Sequence, residues 1–430
     1  MNYQESVEYL DRHIGQGVRP GLERIRNLLS AMGDPHQGYP IVHIAGTNGK
    51  TSTSRMTTAL LVAHGLGTGT YTSPHLERIE ERFSVNGRYS TEREFALAIT
   101  DTAVFADLLV ENGNEPNTYF ELTTAGAFAF FSEKAVNAAV LEVGLGGRLD
   151  ATNVVDADVC VVTGIGIDHT EFLGSDLRTI ADEKLGIVGP MSILVTGDLP
   201  EEAADAAGEK TRELGIQHRT FGRDFGFDSL RQGVRGWTVT VDGAETTYQD
   251  LFLPVHGRHQ IHNLAVAIAS AEALLGKRLD EEAVHAALST LTLPGRMEPV
   301  ATGPLVLIDG AHNADGIATL ADSLREEYPT TKWQIVLGVM RDKNRELMIE
   351  GLQGLAAGFV LTAPRSDRAT PIDELAKLVA DTGVPTLVAA SSEDAVDMAR
   401  AEAGTDSSVL VTGSLYLVGE VRSYLLANSG

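Results

Sequence analysis

The chain has 430 residues, of which 43% are hydrophobic and 22% charged, and this indicates a globular protein of about two domains. Its formal net charge of −25 argues against nucleic acid or an anionic membrane as a partner. No run of about 18 apolar residues occurs, so no membrane span is expected. The acidic N-terminus is unlike a signal peptide, and a single cysteine, Cys160, excludes an internal disulfide. These features favour a reducing cytoplasm.

The acidic excess also constrains how the chain would bind anions. Few lysines and many carboxylates are typical of a salt-adapted protein, and equally of an acidic proteome encoded by a GC-rich genome. In either case a bound anion must be stabilised locally, by backbone N–H groups, arginines or metal ions.

Helical and strand-like patterns alternate along the first part of the chain. The helical patterns cover 5–14, 21–33, 51–65, 120–135 and 177–189. The strand patterns cover 40–46, 137–144 and 158–166. These apolar runs stop at glycine, as strands of a parallel sheet covered on both faces do, and Cys160 is expected to be a small buried strand residue.

In the middle of the chain the pattern of polar and apolar residues changes, and a predicted domain boundary follows. Residues 236–253 alternate in polarity around Asp242-Gly243, which predicts a hairpin in a small antiparallel patch on the first domain. A helical pattern follows at 259–276. Pro294, Gly295 and Pro299 then indicate a linker, so the predicted domains are 1–293 and 300–430, joined by 294–299. Short apolar runs in the second domain predict a mostly parallel α/β sheet. They cover 304–310, 332–340, 358–364, 385–390 and 408–414.

One loop has the composition of a phosphate-binding loop. In IVHIAGTNGKTSTSR, residues 41–55, a strand pattern passes through glycines into a helix pattern, so backbone N–H groups converge on one small volume. Lys50 would neutralise phosphates, and a hydroxyl of Thr51 or Ser52 would ligate Mg²⁺. The loop is a variant, because the standard motif has another glycine at Ala45. The ordinary alternative is a strand–turn–helix with a solvent-exposed lysine. Taken alone, the loop indicates a nucleotide and no particular reaction.

Three further stretches place polar side chains near predicted strand ends. Ser73 and His75 lie in YTSPHL, Glu142 in LEVGLGGRLDATN, and Asp168 and His169 in GIGIDHTEFLG. Carboxyl ends of parallel strands meet at one crevice, and oxygen ligands beside a triphosphate suit Mg²⁺, although imidazole is an unusual ligand for it. Each residue taken singly could equally be a turn, cap or buried polar group. Lys184, beside Asp182 and Glu183, has the local sequence of a solvated helix lysine.

Many stretches resemble the folylpolyglutamate synthase / dihydrofolate synthase family, a branch of the Mur-type amide ligases. They run through nearly the whole chain and include IAGTNGKTST, YTSPHL, LEVGLGGRLDATN, IADEKLGI, GRHQIHNLAVAIA, LPGRME, LIDGAHNADG and TGSLYLVGEVR. Two departures occur, at Thr51 where the family usually has glycine and at Asn344 where it often has an acidic residue. The resemblance implies the Mur ligase architecture, α/β throughout. A P-loop-type parallel-sheet ATPase domain carries the small antiparallel patch, and a C-terminal Rossmann-like α/β domain follows.

The resemblance also implies a reaction, in which ATP drives the addition of L-glutamate to dihydropteroate, to a folate, or to both. The acceptor carboxylate attacks the γ-phosphate to give an acyl phosphate. The amine of glutamate then attacks that carbonyl through a tetrahedral intermediate and releases phosphate. ATP and two Mg²⁺ ions are implied, because the ions cancel charge and hold the oxygens in line. Closure of the second domain is expected to exclude water.

Site roles are implied residue by residue. The triphosphate would be held by Gly46, Thr47, Asn48, Gly49, Lys50, Thr51 and Ser52, with Asn263 at the adenine and Arg296 at the phosphates. The first Mg²⁺ would be bound by Ser52, Ser73 and Glu142, and the second by His169, a carbamylated Lys184 and a shared Glu142. Asp309 and His312 would face the nucleotide and the reacting groups, which makes Lys50, Lys184 and His312 the expected catalytic residues. The pterin-side pocket would include Phe120, Asp150 and Ala151, and Ser414 would lie on the glutamate side.

Two other functions stay open at this stage. One is a Mur-type ligase that acts on a non-folate acceptor, since pocket specificity cannot be derived from one sequence. The other is a P-loop ATPase or kinase, or a nucleotide-binding module, without ligase activity. It predicts ATP turnover that does not depend on L-glutamate. In each case the expected partners are small molecules and the expected state is a monomer.

Overall fold

A computed structural model describes residues 1–17, 19–404 and 407–428. The chain divides into two compact units. Unit 1 comprises Met1–Leu230, Thr238–Leu253 and His262–Leu291. Unit 2 comprises Arg231–Trp237, Pro254–Ile261 and Thr292–Gly430. The chain therefore enters unit 2 for two short segments before its final passage at residue 292. The predicted boundaries at 293, 294–299 and 300 stay a prediction.

The described helices begin and end as follows. They are α1 Tyr3–Asp11, α2 Glu23–Ala31, α3 Lys50–Ala63, α4 Glu92–Glu111, α5 Tyr119–Glu133, α6 Thr170–Leu173, α7 Leu177–Lys184, α8 Glu201–Leu214, α9 His259–Leu275, α10 Glu281–Ser289, α11 Ala314–Glu327, α12 Arg345–Gln353, α13 Ile372–Ala380, α14 Ser392–Ala403 and α15 Leu415–Ala427. Several begin at a side chain that caps the free N–H groups of the first turn, for example Thr118 before α5.

The described strands form three sheets. They are β1 Ile41–Ala45, β2 Thr68–Tyr71, β3 Phe83–Val85, β4 Arg88–Tyr89, β5 Ala138–Glu142, β6 Val159–Val162, β7 Ile193–Thr196, β8 His218–Thr220, β9 Gly226–Gly233, β10 Gly236–Asp242, β11 Thr247–Leu253, β12 Glu298–Thr302, β13 Leu305–Ile308, β14 Trp333–Leu337, β15 Ala356–Leu361, β16 Thr386–Val388 and β17 Ser408–Thr412. Their orders are β4-β3-β2-β5-β1-β6-β7-β8, β11-β10-β9 and β12-β13-β17-β14-β15-β16.

The register of the eight-stranded sheet positions the phosphate-binding loop. Strands β2, β5, β1, β6, β7 and β8 pair in parallel, and the strands β1, β5 and β6 are buried along their whole length. Ile44 pairs with Glu142, and Ala45 pairs with Val162. The loop that follows β1 therefore begins at the same edge as the Glu142 carboxylate, as expected for the carboxyl ends of parallel strands.

Unit 2 has a six-stranded sheet in which only β12 runs antiparallel to its described neighbour. Its central strands pack into an apolar core with Trp333, Phe359 and Leu410. The predicted α/β architecture of both parts is thus confirmed, and Cys160 is a buried strand residue. Among the described residues, no helix is long and apolar enough to span a membrane.

Candidate active site

The loop after β1 requires glycine at two positions. Gly46 has φ +153° and Gly49 has φ +85°, and both values lie in the region that favours glycine. A Cβ at Gly46 would overlap Thr163 Oγ1, and a Cβ at Gly49 would lie 2.5 Å from Asn263 Oδ1. Gly49 also precedes the first turn of α3, so the backbone N–H groups of the loop and the helix N-terminus share one region. Asn263, the predicted adenine contact, thus lies against this loop.

Hydrogen bonds brace the loop against the segment that follows β6. Thr47 N donates to Gly164 O at 2.8 Å, and Thr163 Oγ1 donates to Asn48 O at 2.6 Å. The Thr47 hydroxyl also bonds Gly166, whose N–H donates to Thr47 Oγ1 at 3.0 Å. The Thr47 side chain therefore fixes the start of the segment that leads to His169, a role that the sequence did not suggest.

Two lysine ammonium groups share one acceptor in this loop. Lys50 Nζ donates to Gly46 O at 3.0 Å and Lys184 Nζ donates to the same oxygen at 3.1 Å. Lys184 ends α7 and is buried, so the interpretation of a solvated lysine is wrong. Burial, together with the nearby Lys50 charge, lowers the pKa of Lys184 to about 7, against the opposing effect of Asp168. A neutral amine is therefore accessible near neutral pH.

A buried carboxylate with hydroxyl neighbours lies at the end of β5, the strand that pairs with β1. Glu142 is 2% exposed, and Thr51 Oγ1 donates to its two oxygens at 2.9 and 3.1 Å. Ser73 N lies 3.4 Å from Glu142 Oε2, and the buried Ser73 Oγ has no hydrogen-bond partner among the described residues. The hydroxyl beside Glu142 is that of Thr51, whereas Ser52 was expected at the first Mg²⁺. Ser52 is buried in the same helical turn.

The segment after β6 presents a strained histidine. His169 has φ 51° and precedes α6, and its N–H donates to Asp168 Oδ1 at 2.8 Å. Its Nε2 lies 3.8 Å from Asp168 Oδ2. The described residues contain no group of three or more His, Cys, Asp or Glu side chains arranged to hold a metal ion. Any ion here would therefore depend on hydroxyls, a modified lysine or a ligand for further donors.

The glycine-rich turn after Glu142 is held by Asp150. Asp150 Oδ2 accepts hydrogen bonds from Gly144 N at 3.1 Å and Leu145 N at 2.9 Å, and Oδ1 accepts one from Thr152 Oγ1 at 2.5 Å. Since that hydroxyl hydrogen goes to Asp150, His43 Nε2 is the donor to Thr152 Oγ1 at 2.8 Å. Burial raises the pKa of Asp150 and lowers the pKa of His43 to about 3. Asp150 thus shapes the turn, through a network that sequence analysis missed.

Aromatic side chains line the neighbouring part of unit 1. The Phe120 ring lies 6.0 Å from the Tyr71 ring and leaves no room for a Cβ at Gly144. Ala151, the third predicted pocket residue, is buried in the core. The Nδ1 atom of His75 is not available to bind a metal ion, because it accepts a hydrogen bond from Arg82 Nε at 3.0 Å. Burial, and then the Arg82 charge, lower the pKa of His75 to about 4.

The predicted residues of unit 2 lie near one another. Asp309 accepts hydrogen bonds from Met297 N at 2.9 Å and Ala311 N at 2.8 Å, so it ties the predicted linker to the end of β13. Burial raises the pKa of Asp309, and the charge of Arg296 opposes this only in part. His312 Nδ1 lies 2.8 Å from Gly310 O and carries the proton in the neutral ring, which leaves Nε2 as an acceptor. Ser414 caps α15 and accepts from Leu417 N at 3.2 Å.

Comparison with known families defines the class of protein. Residues 44–271 match the Mur ligase middle domain, and residues 295–415 match the glutamate ligase domain of Mur ligases. The first match alone covers more than half of the chain. The chain is therefore a Mur ligase, and the predicted class of enzyme, an ATP-dependent ligase that forms an amide, is confirmed.

Individual relatives narrow the class. A Mycobacterium tuberculosis protein named dihydrofolate synthase/folylpolyglutamate synthase is 35% identical over 441 residues, which cover 94% of this chain and 90% of the relative. The structure of M. tuberculosis folylpolyglutamate synthase complexed with ADP matches with a TM-score of 0.94 and 33% identity over 99% of both chains. E. coli FolC in complex with DHPP and ADP matches with a TM-score of 0.89 and 29% identity, over 100% of this chain and 99% of that one. This chain belongs to the folylpolyglutamate synthase / dihydrofolate synthase family.

Proposed function

We propose that this chain uses ATP to join the amine of L-glutamate to a carboxylate of a folate-type acceptor. The observation that carries the proposal is the arrangement around Gly46. Lys50 and Lys184 both contact its carbonyl oxygen, and Glu142 with Thr51 and Ser73 lies at the same sheet edge. This edge combines a phosphate-binding loop with a buried carboxylate, which suits phosphoryl transfer onto a carboxylic acid.

The chain's own residues would perform four tasks. The backbone of Gly46 to Ser52 would bind the triphosphate, and Lys50 would leave the Gly46 carbonyl to neutralise the phosphates. Asn263 would contact the adenine from beside Gly49. Phe120 and Ala151 would contact the pterin, with Asp150 as the residue that holds the adjoining turn. Arg296, Asp309, His312 and Ser414 stay predictions for the nucleotide side and the glutamate side of unit 2.

The donor set fits a divalent cation. A buried carboxylate, the Thr51 hydroxyl and the Ser73 hydroxyl, which has no partner in the described part of the chain, are hard oxygen donors of the kind that Mg²⁺ prefers. Thr51, Ser73 and Glu142 would hold one ion, with Ser52 as the alternative hydroxyl, and Glu142, His169 and Lys184 a second. When bound, such ions supply charge neutralisation along the phosphates.

The setting of Lys184 supports its carbamylation. The neutral amine adds to the carbon of CO₂ and loses a proton, which converts a buried cation into a carboxylate-like anion. The lowered pKa makes the neutral amine available, and the Lys50 charge would attract the product. This modification would turn a lysine into a suitable cation ligand.

The same proposal places the enzyme in the cytoplasm as a monomer that acts on small molecules. The net charge of −25 disfavours nucleic acid and anionic membranes, and the only cysteine is buried and free. Size-exclusion chromatography with light scattering tests the monomer.

Product analysis by mass spectrometry tests the activity. The chain is incubated with ATP, Mg²⁺, L-glutamate and, separately, dihydropteroate, tetrahydrofolate and a folate monoglutamate. The proposal expects a product heavier by one glutamyl group with at least one acceptor, and no product without glutamate. A glutamate-independent ATPase would contradict it, and activity confined to a non-folate acceptor would contradict its choice of substrate.

A further inference from the structure

One buried arginine near this site has no anionic partner among the residues that the structure describes. Arg82 ends the 3₁₀ helix Ile79–Arg82, immediately before β3, and is 7% exposed. Its carbonyl oxygen accepts a hydrogen bond from Thr72 N at 3.1 Å, so its backbone lies beside the end of β2. Ser73 is the next residue along that strand end. Arg82 is therefore close to the region of Glu142.

The contacts of Arg82 use only part of its guanidinium. Nε donates to His75 Nδ1 at 3.0 Å, and the guanidinium carbon lies 5.4 Å from the centre of the Tyr119 ring. Within the described ranges, no carboxylate lies within ion-pair distance of Arg82. The other arginine that is equally buried, Arg219, pairs with Glu245 at 2.7 Å. Arg82 is thus exceptional in this chain.

An unpaired buried cation is unfavourable unless an anion joins it. Removing a charge from water is unfavourable, and two charge-assisted hydrogen bonds from Nη1 and Nη2 would offset that cost. The surroundings are aromatic, with Tyr119 against the guanidinium and Phe120 next to it in the first turn of α5. The ligand that matches is an anion attached to an aromatic ring, and a planar carboxylate suits the fork of an arginine.

We propose that Arg82 binds the carboxylate of the acceptor while the attached aryl group lies along Tyr119 and Phe120. This inference rests on the proposed function and adds the residue that recognises the acceptor's acid group. The guanidinium would hold the carboxylate beside Ser73 and Glu142, against the repulsion of a neighbouring triphosphate. It would contribute binding and orientation to the acceptor and nothing to the binding of ATP.

The test compares pteroate with its carboxamide, in which a neutral amide replaces the carboxylate. Isothermal titration of each probe is made with the full chain, with Arg82→Met and with Arg24→Met. Arg24 is the matched control because it is largely buried but pairs with Glu121 at 3.0 Å. We expect the unmodified chain and Arg24→Met to prefer pteroate by about 10- to 100-fold, since a hydrogen bond to a charged group is being removed. Arg82→Met should lose this preference while the KM for ATP stays within about twofold.

Three results would overturn the inference. They are an unmodified chain that binds both probes equally, an Arg82→Met variant that keeps the preference, and an Arg24→Met variant that loses it as fully. If Arg82→Met does not fold, Arg82→Gln provides the same comparison, and the preference of the unmodified chain remains decisive. Failure of the proposed function would appear separately, as absence of glutamylated product from the unmodified chain.

Discussion

The two units differ in how fully the protein satisfies the polar atoms of two predicted site residues, Ser73 in unit 1 and Asp309 in unit 2. In unit 1, Ser73 Oγ is buried without a partner among the described residues, and Lys184 and Arg82 are buried cations. In unit 2, Asp309 receives two backbone N–H groups, and Ser414 caps a helix. A buried polar atom without a hydrogen-bond partner is suited to binding a ligand, whereas one that is hydrogen-bonded within the protein stabilises a loop. Substitution of Lys184 or Arg82 should therefore impair chemistry, whereas substitution of Asp309 or Ser414 should impair stability.

Removal of the buried amine should have the largest effect. Lys184→Ala is expected to lower glutamate-dependent turnover by about 10²- to 10³-fold, the size typical of losing a preorganised charged group at a reacting centre. Added acetate or formate should restore part of the activity, because a small carboxylate can replace a carbamate. Lys377→Ala, at an exposed lysine of unit 2, is the control and should leave turnover unchanged. Full activity of Lys184→Ala would remove the carbamate from this account.

The hydroxyl next to Glu142 should matter more than its neighbour in the helix. Thr51→Val removes the donor to the buried carboxylate and should lower turnover by about 10- to 100-fold while raising the Mg²⁺ concentration for half-maximal activity. Ser52→Ala is the matched variant and should have the smaller effect. The reverse order would restore Ser52 as the ligand expected from the resemblance.

In unit 2 the expected change is in stability. Asp309→Asn replaces a carboxylate that accepts from Met297 N and Ala311 N, and the free energy of unfolding should fall by about 1–3 kcal/mol. Tryptophan fluorescence during urea unfolding reports this unit, since Trp237 and Trp333 both belong to it. An unchanged urea midpoint together with a higher KM for ATP would instead assign Asp309 a direct role at the nucleotide.

Buried His43 should make the folded chain sensitive to acid. Burial lowers its pKa from 6.5 to about 3, so between these values only the unfolded chain takes up the proton. Neutral His43 therefore does not reduce the free energy of unfolding above about pH 6.5. Below that pH the free energy of unfolding falls by up to about 1.4 kcal/mol per pH unit. His43→Gln keeps a donor to Thr152 and should flatten this dependence in urea unfolding followed by circular dichroism. An identical slope in both proteins would contradict the assignment.

The smallest expected effect is that of a helix cap. Ser414→Ala should destabilise by about 1 kcal/mol, as should Ser391→Ala, which removes the equivalent cap of α14. The two variants differ only if Ser414 also contacts glutamate. In that case Ser414→Ala alone would raise the KM for L-glutamate. Initial rates at varied glutamate, measured on both variants, distinguish a cap from a substrate contact.

Much of the fold follows from local patterns. Apolar runs ending in glycine predicted β1, β5 and β6, and alternation around Asp242 predicted the adjacent strands β10 and β11. Strand β2 was missed, because Thr68–Tyr71 contains glycine and threonines and is buried only when α3 and α5 pack on it, through Thr58 and Phe131. Strand β7, over Ile193–Thr196, was also missed, since it is only four residues long and follows closely on the helical pattern at 177–189.

The site was predictable in composition and less so in geometry. The sequence indicates that Gly46, Lys50 and Glu142 serve one nucleotide site, because strand ends in a parallel sheet converge. It does not indicate that Thr51 faces Glu142, which depends on the rotation of α3. Arg82 and His43 were missed for a related reason, since burial is a property of the folded chain, as is the absence of an ion-pair partner for Arg82 among the described residues. An isolated arginine in ERFSVNG has no local signature of that kind.

Oxygen transfer tests the central claim most directly, which is that the acceptor carboxylate attacks the γ-phosphate to form an acyl phosphate, which the amine of glutamate then attacks. An acceptor labelled with ¹⁸O in its carboxylate is converted with ATP and L-glutamate, and the inorganic phosphate is analysed by mass spectrometry. The acyl-phosphate route predicts one ¹⁸O atom in each phosphate released for each amide formed. Unlabelled phosphate, formed at the same rate as the amide, would contradict it.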